Sequence, residues 1–249
     1  MKVAVITPFH NETLHWLTEC QNSVKNQTYA CDHFLIGDAA RIQPCLPARV
    51  INLPVGVADY SDTPRAIGSF YAAGLQYDAI AYLDGDNCFH PNHIESLVHL
   101  LSETGAPVLT SRRAYIRLDG SYMAEDLTSD GEKFCDTNCL FLTRPAFSLL
   151  SHWALMDRAF HPIDDRVMWY HILQAGLKRA HTGRVTVAYR ATHQGHYRDL
   201  GETPPNGAKS PDNNPIGVAF LAWEAKGFPP LRMEHKYCGY RDRSSEVIQ

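Results

Sequence analysis

Through the first hundred positions, short apolar runs rich in β-branched residues alternate with segments whose apolar residues recur every three or four places. Val3-Ala4-Val5-Ile6, closed by Pro8, predicts a buried strand. Leu14, Leu17, Cys20 and Val24 then share one helical face, with Trp16 beside it. His33 to Asp38 and Arg49 to Pro54 read as two further strands. A helix follows from about Pro64, where proline suits a first turn, through Ala66, Ile67, Phe70 and Ala73. Ala79 to Leu83 is another buried strand, and Asp84-Gly85-Asp86 leads from it to a helix through Ile94, Leu97, Leu100 and Leu101.

Such alternation implies an α/β fold: a parallel sheet with helices on both faces, which binds nucleotides at the carboxyl ends of its strands. Asp38, Asp84 and Asp86 directly follow strands, so they are expected along one edge of the sheet. The second half is less regular. Val108 to Arg113 and Asn138 to Leu142 read as strands, with a polar, loop-like stretch from Ala114 to Gly131 between them. Helices are expected after Pro145 and from about Asp164 to Ala175, the latter stopped by Gly176, with a strand from Val185 to Tyr189. Gly201 to Pro215, rich in Pro, Gly and Asn, reads as an exposed loop or lid before a short helix from Val218 to Lys226.

Composition adds exclusions. A chain of 249 residues, 45% hydrophobic and 20% charged, can bury a real core. Its formal net charge of -4 and lack of basic runs argue against an extended nucleic-acid-binding surface. The opening VAVITPF is too short for a signal peptide or membrane span. Seven scattered cysteines with no CxxC pair suit free thiols in a reducing compartment, so a cytoplasmic location is expected.

The chemistry concentrates in two acidic motifs. Asp84 and Asp86, one residue apart after a buried strand, can share a hard divalent cation such as Mg2+ or Mn2+. The plain structural alternative is a polar turn with a helix cap. Asp164-Asp165 opens a helix, where both acids also suit the cap and the dipole. Adjacent carboxylates repel, and one raised pKa would suit a base near neutral pH. His90 and His93 lack a third ligand nearby and are read as structural, and Trp153, Trp169 and Tyr170 flank the second acidic pair.

Taken in order, these motifs resemble the family 2 glycosyltransferases, which have the GT-A fold, a Rossmann-like nucleotide-binding sheet. Pro8-Phe9-His10-Asn11 stands where the family has a Pro-x-Tyr-Asn-like turn, and Ser23-Val24 with Gln27-Thr28-Tyr29 matches the following helix end. Asp38 matches one member of an acidic pair, with Gly37 before it, and Arg65 matches an arginine ahead of the DxD strand. Asp84-Gly85-Asp86 with Phe89 and Pro91, and Asp164-Asp165 with Gly176, complete the likeness. It covers residues 2 to about 200, implying a single GT-A domain over 1–200, with 201–249 as a C-terminal loop or lid and tail packed on it.

The resemblance implies an inverting enzyme that moves a sugar from a nucleotide-diphosphate sugar, a UDP- or GDP-sugar, to an acceptor hydroxyl left open. Pro8 and His10 would line the donor site, Asp38 would accept a hydrogen bond from the donor's base, and Arg65 would contact the nucleoside or diphosphate. Asp84 would hold the ribose or reach the metal through water, and Asp86 would bind the metal directly. A late histidine completes many such sites; His196 is favoured over His193 because an aromatic–basic pair, Tyr197-Arg198, follows it. Asp165 would be the general base, with Asp164 where glutamate is commoner, and Arg198 and Lys209 would clamp phosphates. A nucleotidyltransferase would want a Gly-rich phosphate loop that Pro8 to Thr13 lacks, and a non-catalytic nucleotide-sugar- or glycan-binding protein would not need both acidic motifs.

Overall fold

A computed structural model of the chain describes residues 1–41, 43–210, 214–233 and 237–238. Its first half is a run of parallel strands: β1 (Val3–Phe9), β2 (Asp32–Asp38), β3 (Arg49–Leu53) and β4 (Ala79–Tyr82), in spatial order β3-β2-β1-β4. Every residue of β1 and β4 is buried, as their unbroken apolar sequences require. Helix α1 (Leu14–Lys25) joins β1 to β2 and is capped by the Thr13 hydroxyl, which accepts from the Trp16 N–H. Helix α2 (Asp62–Gly74) joins β3 to β4 and lies against β1 and β2. The contact depends on Gly68: a Cβ there would come within 2.5 Å of Ile6 Cγ2 and 3.0 Å of Ile36 Cγ1.

Beyond β4 the sheet turns mixed, which corrects the expectation of a wholly parallel sheet. β5 (Cys88–Phe89), α3 (His93–Thr104), β6 (Val108–Ile116), β7 (Tyr122–Asp126) and β8 (Leu140–Thr143) follow in the chain. β8 runs antiparallel to β4, and β6 antiparallel to β8. The far half of β6 pairs antiparallel with β7, while its other edge takes β9 (Arg179–Arg190) in parallel. The end of β6 and all of β7 occupy the stretch expected to be loop. Charged residues break up the pattern there: Arg117, Asp119, Glu125, Asp126 and Asp130 stand among the buried Ala114, Tyr115, Met123 and Ala124.

A 3-10 segment, Arg144–Leu150, runs into α4 (Ser151–Ala154), and a second, Arg158–Ile163, runs into α5 (Asp164–Gln174). Two further helices, α6 (Gln194–Asp199) and α7 (Pro215–Ala225), complete the helical set among the described residues. Helix α7 packs on the second 3-10 segment, where Phe160, Ile163 and Val167 meet Ala219, Phe220 and Trp223. A short strand, β10 (Tyr237–Cys238), pairs with β7. Residues 211–213 of the expected lid, and 234–236 and 239–249 of the expected tail, lie outside the described residues. Among those described, no helix is long and apolar enough to cross a membrane.

His93, read from the sequence as structural, begins α3 fully buried, stacked on Phe89 at 3.8 Å with Nδ1 2.7 Å from Thr186 Oγ1. Burial, with a smaller contribution from His90, lowers its pKa to about 3. A folded-state value below the unfolded one means that the unfolded chain binds the extra proton. The stability His93 contributes is therefore present above pH ~6.5 and lost as pH falls toward about 3, at roughly 1.4 kcal/mol per pH unit. Chemical denaturation from pH 7 to 5 is expected to show a shallower loss of stability in His93→Gln than in the wild type.

Candidate active site

The strand ends bring the expected acids to one edge, where a buried polar network holds them. Asp84 follows β4, and its backbone N–H donates to Asn138 Oδ1 at 2.7 Å. Asn138 returns the contact through Nδ2, which donates to Asp84 Oδ2 and to Asp136 Oδ1, both at 2.9 Å. A 3-10 turn, Thr137–Cys139, aims this amide, and the Asp136 carboxylate caps the turn by accepting from the Asn138 N–H. Asp136 is itself paired with the buried Arg113, which also donates to Asp126 at 2.8 Å and faces the Tyr189 ring at 4.3 Å.

Arg65 joins the two acidic motifs. It lies in the first turn of α2, only 5% exposed. Its Nη2 donates to Asp84 Oδ1 at 2.7 Å and its Nη1 to Asp164 Oδ2 at 2.6 Å, with the Tyr60 carbonyl accepting a third bond at 2.9 Å. The resemblance assigned Arg65 to the donor; here its guanidinium is engaged by the acids on either side. Asp62 lies 3.9 Å from the same guanidinium and accepts or donates at 2.5 Å with His161 Nδ1.

Three carboxylates thus surround one fixed cation, and the cluster holds more negative charge than Arg65 neutralises. Burial pushes Asp62 up to about 8, with Arg65 opposing and Asp59 adding. Burial also raises Asp164, opposed by Arg65 and reinforced by Asp62 and Asp165. We assign the proton near neutrality to Asp62 rather than Asp164, because Asp164 touches Arg65 at 2.6 Å while Asp62 stands at 3.9 Å. Asp165, half-buried, donates its N–H to Asp164 Oδ1 and accepts from the Arg166 N–H at 2.7 Å, which leaves its second oxygen available.

Asp86 differs from Asp84 in having no side-chain hydrogen-bond partner among the described residues. Burial lifts its pKa to about 7, with the charges of Asp84 and Glu12 adding and Lys209 opposing. Its backbone carbonyl accepts from the buried Arg190 Nε at 3.0 Å; the same guanidinium donates to the Leu118 carbonyl and to Glu19, and the Arg190 N–H donates to Asn87. Arg190 at the end of β9 therefore pins the DxD turn. Lys209 is placed beside this turn by pairing with the backbone at Thr192 and Gln194. His196 stacks near Tyr115, with ring centroids 4.8 Å apart, while His193 is exposed. Among the described residues no three His, Cys, Asp or Glu side chains form a ready-made metal cage, so Asp84, Asp86 and His196 are not assembled into one. Arg198 is exposed and donates to Gln194 at 2.7 Å.

At the end of β2, the Asp38 carboxylate accepts from the Val57 and Ala58 N–H groups at 2.7 and 3.2 Å. It ties down a strained loop in which Ala58, Tyr60 and Ser61 all adopt positive φ. His10 Nδ1 contacts the Asp38 carbonyl, and Pro8 is buried in β1 opposite Ile36. Gly37 has a local reason to lack a side chain: a Cβ would fall 2.3 Å from Asn52 Oδ1. The Asn52 amide fills that space, bonding both the N–H and the carbonyl of Ala40 at 3.0 Å.

Sequence reasoning missed Asn138, Asp62, His161 and Arg190. The only local hint was their position at the start or end of a predicted element; their partners lie 54 to 104 residues away.

No protein-family model and no curated protein matches the chain. Solved structures do. The S. aureus TarS fragment 1-349 in complex with UDP superposes with a TM-score of 0.59 at 14% identity over 80% of this chain and 63% of that one. The same fragment with UDP-GlcNAc gives 0.54 at 14% identity over 76% and 58%, and the longer S. aureus TarS chain gives 0.59 at 14% identity over 80% and 38%. The chain thus spans less than two thirds of the solved chains it resembles. The likeness establishes the α/β glycosyltransferase-type fold expected from the sequence.

Removing Arg65 leaves the buried acids facing one another. Arg65→Met is expected to destabilise the protein by about 3–5 kcal/mol in urea denaturation, the usual cost of breaking a buried ion pair. Adding Asp164→Asn is expected to restore part of that loss, because it removes the charge left stranded where Arg65 Nη1 stood.

Proposed function

We propose that the chain is an inverting glycosyltransferase of the family 2 type, transferring a sugar from a nucleotide-diphosphate sugar to an acceptor hydroxyl. The observation that carries this reading is the joining of Asp84 and Asp164 through Arg65, which fixes the DxD turn and the second acidic pair on either side of one guanidinium. Leaving-group site and base must straddle an anomeric carbon, and a shared cation sets their separation. TarS, with the same fold, has been solved with UDP and UDP-GlcNAc, which favours a UDP-sugar donor here.

Each role follows from the local chemistry. Pro8, His10 and Asp38 frame the nucleoside end, and Asp84 meets the ribose. Asp86 suits a divalent cation, Mn2+ or Mg2+: its carboxylate is free, Asp84 and Glu12 add negative charge, and substrate phosphates commonly complete such sites. The chemistry this cation supplies when bound is neutralisation of the diphosphate's charge. Lys209 brings positive charge from the other side. Asp165 takes the proton of the attacking hydroxyl through its free oxygen. Asp164, held by Arg65, orients Asp165 by accepting its N–H.

A thermal-shift screen of UDP, GDP, CDP and dTDP and their sugars, with and without Mn2+, tests the donor site. One nucleotide is expected to stabilise the protein only with metal, and Asp86→Ala to erase that shift. Failure of every nucleotide would remove the donor assignment. In single-turnover transfer, Asp165→Asn is expected to lose about 10²–10⁴-fold in rate while keeping the nucleotide shift; normal transfer would show that Asp165 is not the base.

A further inference from the structure

At one end of the Arg65 guanidinium there are fewer hydrogens than the acids around it require. Nη1 carries two, and both are used: one reaches the Tyr60 carbonyl at 2.9 Å and the other Asp164 Oδ2 at 2.6 Å. Asp62 is the further claimant. Its Oδ1 stands 3.9 Å from the same Nη1 and, on a fully buried side chain, has no hydrogen-bond partner among the described residues. An ionised carboxylate in that position would be costly. Its other oxygen lies 2.5 Å from His161 Nδ1.

Charged and titratable groups face Asp62 from every element around it: Asp59 from the strained loop, Arg65 from its own helix, His161 from the 3-10 segment, and Asp164 and Asp165 from α5. Arg65 is the only permanent cation among them. A neutral Asp62 resolves the shortage, because it donates its own proton to His161 Nδ1 and needs nothing from Arg65. An ionised Asp62 could be served by Nη1 only at the expense of Asp164 or Tyr60. His161 is half-buried and lines a cavity of about 450 Å³, so the pair can exchange that proton with water.

We propose that Asp62 is a positioning residue whose proton, held against His161, decides which acid Arg65 Nη1 addresses. While the proton is kept, Nη1 stays on Asp164, and Asp164 Oδ1 holds the Asp165 N–H. Once it is lost to solvent, Asp62 competes for Nη1 and the hold on Asp164 loosens. The place of the proton does not depend on the glycosyltransferase reading; its consequence for catalysis does, because Asp165 is the base only in that reading. Burial, the main cause, lifts Asp62 to about 8, so the change falls just above neutrality.

The first test needs no substrate. Urea denaturation of the full chain is followed from pH 5 to 9 for the wild type, Asp62→Asn, Asp164→Asn and the double variant. A folded-state pKa above the unfolded one means that the stability Asp62 contributes is lost as pH rises toward about 8. The midpoint of Asp62→Asn is therefore expected to climb relative to the wild type over that range and to level off beyond it. The midpoint lost on Asp164→Asn is expected to shrink from pH 6 to 9 in the wild-type background and to stay constant in the Asp62→Asn background. A constant difference between Asp62→Asn and the wild type, or a cost of Asp164→Asn independent of pH in both backgrounds, overturns the proposal.

The second test is hydrolysis of the nucleotide-sugar that gives the metal-dependent thermal shift, with water in place of the acceptor. Its rate is expected to fall about tenfold per pH unit above about 8, and Asp62→Asn to remove that fall. A fall that persists in Asp62→Asn would overturn the positioning role. Absence of any nucleotide shift would instead remove the transferase reading alone, and the denaturation series would still decide where the proton sits and what it does to Asp164.

Discussion

The guanidinium of Arg65 is the constraint on which the rest of the site depends. It is buried in the first turn of a helix that Gly68 lets settle onto the sheet, and it faces carboxylates from three different elements. A buried arginine charge is tolerable only when carboxylates face it, so the positions of Asp84 and Asp164 are not independent. The fixed planar fork of arginine, unlike a lysine ammonium, can address two acids in defined directions. What looks like two motifs in the sequence is one electrostatic unit in space.

The same logic extends along a polar spine through the molecule. Arg113 holds Asp136, Asp136 holds Asn138, Asn138 holds Asp84, and Asp84 meets Arg65. Arg190 fastens the neighbouring backbone from β9. Networks of this kind are strong when fully satisfied and expensive when broken, which makes the site rigid where the acids stand. At the periphery, Lys209 approaches Asp86 from a segment tied to Thr192 and Gln194 by backbone hydrogen bonds.

Much of the fold was legible because apolar runs reveal buried parallel strands and helical spacing reveals their connections. β1, β2, β3, β4, α1 and α3 fall within a few residues of the expected bounds. The acids at the strand ends were also readable, because a strand delivers whatever follows it to the sheet edge. β7 was not, since it buries only Met123 and Ala124 as apolar residues and its end is held by the Asp126–Arg113 pair, too little for a hydrophobic pattern to show. The joining of Arg65 to Asp164, and of Asp62 to His161, spans 99 residues in each case, and no local pattern encodes a meeting at that range. The resemblance located Arg65 but could not say that its charge is shared between two acids.

The filled space beside Gly37 bears on how this chain can diverge. Asn52 occupies the volume that any side chain at position 37 would need, and it also satisfies both backbone groups of Ala40. An acid introduced at 37 alone collides with the amide; trimming Asn52 alone strands the Ala40 amide and carbonyl. Neither order of single replacements passes through a sound intermediate, so the two positions form an epistatic lock. Lineages that carry this glycine–asparagine pair are expected to keep or lose both together.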